Sequence, residues 1–154
     1  MEINDLISAD VVVANLKATS KKQVLHSLAR RASKQTGVNE RDIFDVLMER
    51  ERLGSTGVGN GIAIPHGKLP ELERLHGLFA LLEQPVDFQA IDEHPVDLIF
   101  LLLAPESAGA DHLKALAKIS RLLRDRGICD KLRGSETNDA LYAILTANME
   151  HQAA

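Results

Sequence analysis

Gly54-Ser55-Thr56-Gly57-Val58-Gly59-Asn60-Gly61-Ile62-Ala63-Ile64-Pro65-His66-Gly67-Lys68 carries four glycines in its first eight residues, then a short apolar run, then a proline and a histidine. Glycines admit positive φ and let backbone N–H groups come close to a ligand. Ile62-Ala63-Ile64 reads as a short buried strand. Pro65 has no N–H and a fixed φ, which suits the end of such a strand. The pattern therefore places His66 at a strand's edge beside a loop rich in donors, where a histidine can meet an anion such as a phosphoryl group.

Outward from that stretch, helix and strand signals alternate loosely. Asp10 to Leu16, with Val11-Val12-Val13, reads as a first strand. Ser20 and Gln23 form a capping box. Val24, Leu25, Leu28, Ala29 and Ala32 then keep helical spacing up to a stop at Gly37. Asn39 caps a second helix through Ile43, Phe44, Val46 and Leu47, running to Arg52 and ending near Gly54. Beyond the histidine, Leu75–Leu82 and Val96–Leu103 are apolar enough for strands covered on both faces, and Pro105 closes the second. Asp111 opens a helix expected to turn Leu113, Leu116, Ala117 and Leu123 inward and to stop at Gly127. Ser135 or Thr137 caps a last helix holding Leu141, Ile144 and Leu145. Strands and helices mix without strict alternation, so the expected fold is α/β, a three-layer sandwich of a mixed β-sheet flanked by helices, in a single domain over 1–154.

Composition narrows the function. A chain of 154 residues with 45% hydrophobic and 26% charged residues suits one soluble domain with a proper core. Its net charge of −4 and lack of a basic block argue against nucleic acid. Leu98–Ala104, the most apolar run, is far too short to cross a bilayer, and the N-terminus has no signal-peptide pattern. One cysteine, Cys129, leaves no internal disulfide and fits a reducing compartment, so the cytoplasm is the expected location.

Neutral imidazole is a good nucleophile towards phosphorus and needs no metal. A transferring phosphoryl group spreads charge over three oxygens, so such a site needs oriented donors and a cation. The glycine loop (Gly57, Gly59, Asn60, Gly61) is the expected source of N–H donors, and Arg50 or Arg52 of the cation. His112, beside Asp111 at a helix start, stands where the dipole favours a neutral ring and welcomes an anion.

Plainer readings stand beside these. A histidine after proline is often structural, a glycine cluster is often a tight turn, and Glu49-Arg50-Glu51-Arg52 can be a solvated helix end. Leu69 stands where a P-loop needs Ser or Thr, so nucleotide hydrolysis of that kind is excluded. A metal shared by His66 and His112 is the weaker reading, because no cysteine or carboxylate stands at ligand spacing. His26, His76, His94 and His151 have no chemical context. Cys129 reads as a small buried apolar residue. Val58, Ile62 and Ile64 read as core in preference to a docking rim.

Arg50-Glu51-Arg52-Leu53-Gly54-Ser55-Thr56-Gly57-Val58-Gly59-Asn60-Gly61-Ile62-Ala63-Ile64-Pro65-His66-Gly67 resembles the signature of the IIA components of the bacterial phosphotransferase system (PTS), fructose/mannitol class, and within it the nitrogen-regulatory branch, IIA-Ntr. The resemblance runs from Ile3-Asn4-Asp5-Leu6 through Ser20-Lys21-Lys22 to the closing helix. It implies that His66 accepts a phosphoryl group from a phosphohistidine carrier protein of the nitrogen branch. It further implies that His112 and Arg50 are the family's second histidine and its active-site arginine, and that no cofactor or metal is needed. Asn60 stands where sugar-transporting members often carry Glu. The resemblance thus implies a free-standing EIIA, a phosphoryl carrier more than a turnover enzyme, with regulatory targets among potassium-transport and sensor-kinase proteins. The alternative is the IIA component of a fructose/mannitol-type uptake system that passes phosphate to a IIB domain. A third reading is an interaction module whose histidine is never phosphorylated.

Overall fold

The computed structural model describes the backbone of residues 5–153 and the side chains of residues 5–147. His151, given no chemical context above, lies outside the described side chains, and Ile3-Asn4 lie outside the described residues altogether. Eleven main elements follow in chain order: β1 (Val12–Leu16), α1 (Lys21–Thr36), α2 (Glu40–Arg52), β2 (Gly57–Gly59), β3 (Ile62–Ala63), β4 (His66–Leu69), β5 (His76–Val86), β6 (Val96–Pro105), α3 (Ala110–Leu123), α4 (Arg126–Arg133) and α5 (Asn138–Ala153).

The sheet is mixed, in the order β1-β5-β6-β3-β2, with β4 also on β6. β1 runs parallel to β5, β5 antiparallel to β6, and β3 and β4 parallel to β6. β5 and β6 are central and covered on both faces, which is why their sequences are nearly continuous apolar runs. Phe79 and Phe100, both fully buried, meet edge to face across them at 6.2 Å. α1 and α2 pack together on one side, and α3, α4 and α5 form the other helical layer. The expected α/β sandwich with a mixed sheet is the fold observed.

Local chemistry explains most boundaries. Ser20 Oγ accepts from Gln23 N–H at 3.2 Å, while Gln23 Oε1 reaches back to the Thr19 N–H at 2.8 Å. Gly37, at φ 80°, ends α1 in the left-handed region. Asn39 Oδ1 accepts from Arg41 and Asp42, and Thr137 Oγ1 accepts from Ala140 N–H. β1 is an edge strand, and Asn138 Oδ1 takes its Ala14 N–H at 2.6 Å, so that edge is covered.

Three expectations need correction. Residues 9–11 form a short 3-10 turn, so the first strand begins at Val12 and not Asp10. α3 is rotated relative to its expected face: His112, Ala115, Ile119, Leu122 and Leu123 are buried, whereas Leu113 is 69% exposed and Ala117 faces outward. Apolar residues surround this helix, so spacing alone does not choose a face, and the contact of His112 with the His66 ring overrides the leucine count. Gly127 is no stop but lies inside α4, a helix absent from the sequence reading, whose N-cap Asp125 accepts from Ile128 N–H at 3.2 Å.

Candidate functional site

The site is built where β6 changes neighbour. Ile62 and Ala63 pair with Leu98 and Ile99, and His66 to Leu69 pair with Leu102 to Pro105. Ile64 and Pro65 lie between the two pairings, buried. Ile64 N–H donates to Thr56 C=O, and Pro65 C=O accepts from Leu102 N–H, each at 3.0 Å. Pro65 loses no ladder bond it needs, and His66 becomes the first residue of β4 with its ring half-buried.

The two ring nitrogens of His66 have different partners. Nδ1 lies 3.0 Å from the Ile64 carbonyl, which makes it the protonated nitrogen. Nε2 accepts from Arg50 Nε at 3.2 Å and therefore carries the lone pair. Arg50 is held in turn by Nη1 donating to Gly54 C=O at 2.8 Å. Burial pushes the His66 pKa below its ordinary value; the Ile64 carbonyl opposes this, the Arg50 charge adds to it, and Glu51 opposes it weakly. The ring is neutral near pH 7.

His112, the third residue of α3, stands edge-on to His66 with ring centroids 5.5 Å apart and planes at 87°. It is 5% exposed, and its Nδ1 is a buried polar atom without a hydrogen-bond partner among the described residues. Burial lowers its pKa too, helped by His66 and by Lys68. α3 has no side-chain N-cap, and of its first-turn N–H groups that of Asp111 donates to Ala108 C=O at 3.0 Å.

His66, Arg50 and His112 thus come together, and other candidates do not. Arg52 turns away to Glu49 at 2.6 Å, which assigns the cation at His66 to Arg50. Gly57-Val58-Gly59 is a strand, and Asn60 (φ 57°) with Gly61 (φ 79°) makes the two-residue turn of a hairpin with β3. The turn lies about 17 Å of strand path from His66. The donor expectation for this loop is not met at Gly57, whose N–H goes to Ser55 Oγ, nor at Asn60, whose N–H goes to Asp92. Arg133 fixes the turn from α4, bonding Asp97 twice at 2.9 Å and Asn60 C=O at 2.8 Å. Val58 is exposed, while Ile62 and Ile64 are core. His26 stacks on Phe44, and the His94 N–H donates to Asp92. Among the described residues no three His, Cys, Asp or Glu side chains gather as a metal ion would require.

One residue escaped the sequence reading. Glu51, with its side chain 5% exposed, accepts from Thr56 N–H at 2.9 Å, from Thr56 Oγ1, and from Lys21 Nζ at 3.4 Å. It ties α1, α2 and the loop before β2 together, directly beside Arg50. The signal was present: Ile43, Leu47 and Glu51 are spaced by four, so Glu51 lies on the buried face of α2.

A half-buried neutral histidine, with its free nitrogen facing an arginine and a second histidine beside it, fits a phosphoryl acceptor. The chain belongs to the EIIA 2 family of the phosphoenolpyruvate-dependent sugar phosphotransferase system, which matches residues 5–148. Within that family it resembles the nitrogen-regulatory branch. It is 58% identical over 145 residues to a "Nitrogen regulatory protein" of Bradyrhizobium diazoefficiens, covering 94% of this chain and 95% of that one. It is 39% identical over 147 residues to the protein of the same name in Escherichia coli K12, covering 95% and 90%. The crystal structure of nitrogen regulatory protein IIA-Ntr from Neisseria meningitidis superposes with a TM-score of 0.89 at 34% identity, over 94% of this chain and 99% of that one.

Proposed function

We propose that this protein is the IIA phosphoryl carrier of a nitrogen phosphotransferase relay, a single domain over 1–154 acting in the cytoplasm. His66 accepts a phosphoryl group from the phosphohistidine of a carrier protein of that branch. The observation that carries this reading is the split of the His66 ring, with Nδ1–H on the Ile64 carbonyl and the Nε2 lone pair open to an electrophile behind Arg50.

Nε2 attacks phosphorus in line. The new N–P bond forms as the donor's N–P bond breaks, and that electron pair returns to the donor imidazole. No proton leaves His66. Its ring becomes protonated on Nδ1 and phosphorylated on Nε2, with the ring charge resting on the Ile64 carbonyl. Arg50 shifts from Nε2 to the phosphoryl oxygens, where its fork is at its strongest. His112 completes the neutralisation, in place of the glycine hairpin. Leu113, exposed beside His112, offers apolar area to the docking carrier.

Phosphorylation adds about −1.5 to −2 charge at this surface, enough to change which proteins bind it. The targets are regulatory proteins of potassium transport or sensor kinases, reached by protein contact. Nucleic acid and membrane insertion have no part. Among the described residues no helix is long and apolar enough to cross a membrane.

The test is intact mass after incubation with phosphoenolpyruvate, the first enzyme of the relay and its nitrogen-branch carrier. One acid-labile phosphoryl adduct in the wild type and none in His66→Ala is the expected result. An adduct of equal yield in His66→Ala overturns the assignment. Rapid discharge to a IIB domain of a fructose or mannitol permease would instead favour a role in sugar uptake.

A further inference from the structure

We infer that a second anion site, for a small organic phosphate, lies beside α1 towards the β1 edge of the sheet, away from His66. A cavity of about 710 Å³ opens between the second half of α1 and the turn leading into β1. Its volume is in the range of small-molecule sites, roughly 300–1,000 Å³. Arg30, Arg31 and Lys34 line one wall, Asp10 is the only acid among the lining residues, and Val11, Val13 and Leu78 give an apolar floor.

The charge at this cavity is unbalanced. The chain carries −4 overall, yet three cations face one acid here. Arg30, Arg31 and Lys34 form no ion pair or hydrogen bond among the described residues, although on α2 Arg41 and Arg52 each pair with a carboxylate. Arg30 and Lys34 are four residues apart on one helix, an arrangement in which like charges repel. The helix C-terminus offsets part of that repulsion, but its effect fades within the last turn, and Arg30 lies beyond it. A bound dianion would relieve the rest.

The chemistry selects the ligand class. Two guanidinium forks and an ammonium suit phosphate oxygens. The buried floor of Val11, Val13 and Leu78 gives an apolar or flat part of the same molecule somewhere to lie, which inorganic phosphate does not use. β5 and β6 separate β1 from β4 by about 14 Å across the strands, and Leu78 on β5, the lining residue nearest His66, is about 10 Å from it. The site therefore stands independently of whether His66 carries a phosphoryl group.

The experiment is an amide NMR titration of the full chain with ATP, pyrophosphate and inorganic phosphate, repeated on Arg30→Gln/Arg31→Gln/Lys34→Gln. All three side chains are exposed, so the variant keeps the core. Saturable shifts with ATP at residues 10–13 and 30–35, with His66 signals unmoved, are expected. The triple variant should bind at least about tenfold more weakly, and inorganic phosphate more weakly than ATP. Shifts that never saturate, equal affinity in the triple variant, or inorganic phosphate binding as tightly as ATP would each overturn the inference. So would a polyglutamate peptide that binds more tightly than any of the phosphates, which would point to an acidic protein segment.

Discussion

Arg50 Nε lies 3.2 Å from Nε2 of His66, so the arginine guards the one ring nitrogen that the Ile64 carbonyl leaves unprotonated. The two contacts together fix the tautomer, and in the proposed transfer Arg50 stands where charge would develop. Replacing Arg50 should damage transfer and spare the fold, since its side chain is only half-buried and its other bond is to a loop carbonyl. Arg50→Ala should slow phosphorylation about a hundredfold, with a melting temperature close to wild type. Arg50→Lys should recover little, because an ammonium cannot reproduce the fork. Single-turnover phosphorylation rates beside thermal melts check this.

The histidines set the pH dependence. His66, His76 and His112 all have folded pKa values below the unfolded value of 6.5, chiefly through burial. Between the folded and unfolded pKa values the unfolded chain binds more protons, so stability rises with pH in that window and levels off above about 6.5. Acidification from pH 7 should therefore lower the urea midpoint, less steeply in His66→Gln/His112→Gln. The acceptor rate should fall as Nε2 becomes protonated, at a lower pH than for an unburied histidine.

Glu51 is the structural counterpart of Arg50. Glu51→Ala leaves Lys21 and the Thr56 N–H without their buried acceptor, and should cost about 2 kcal/mol, read from urea unfolding. Transfer should slow as well, because the end of α2 that presents Arg50 loses its anchor.

Gly67 lies under α2. A Cβ there would overlap Val46 Cγ1, so either Val46 must leave its rotamer or the helix must move away from β4. Gly67→Ala should cost about 2 kcal/mol and slow phosphorylation by lengthening the Arg50–His66 contact. The same variant with Val46→Ala should recover both, which a combined melt and rate measurement would reveal.

Much of this arrangement was legible in the residues. The Pro65-His66 pair after a short apolar run pointed to the half-buried histidine, and the last turn of α2 carried the cation beside it, though only the structure separates Arg50 from Arg52. Asn60-Gly61 is the strongest short hairpin signal there is, yet a glycine-rich loop before a histidine suggests an anion cradle equally well. Hydrogen-bond partners far along the chain, Asp92 and Arg133, decide between the two, and local pattern does not contain them. α3 was misread for a related reason. Its burial follows from packing against β6 and His66, while leucine spacing favoured the face that carries Leu113 into solvent.

The most direct test of the acceptor chemistry is NMR of the protein labelled with ¹⁵N-histidine and phosphorylated through the relay. Phosphorus coupling to Nε2 of His66, with Nδ1 protonated, is the predicted result. Coupling to Nδ1 of His66, or to either nitrogen of His112, would contradict the account.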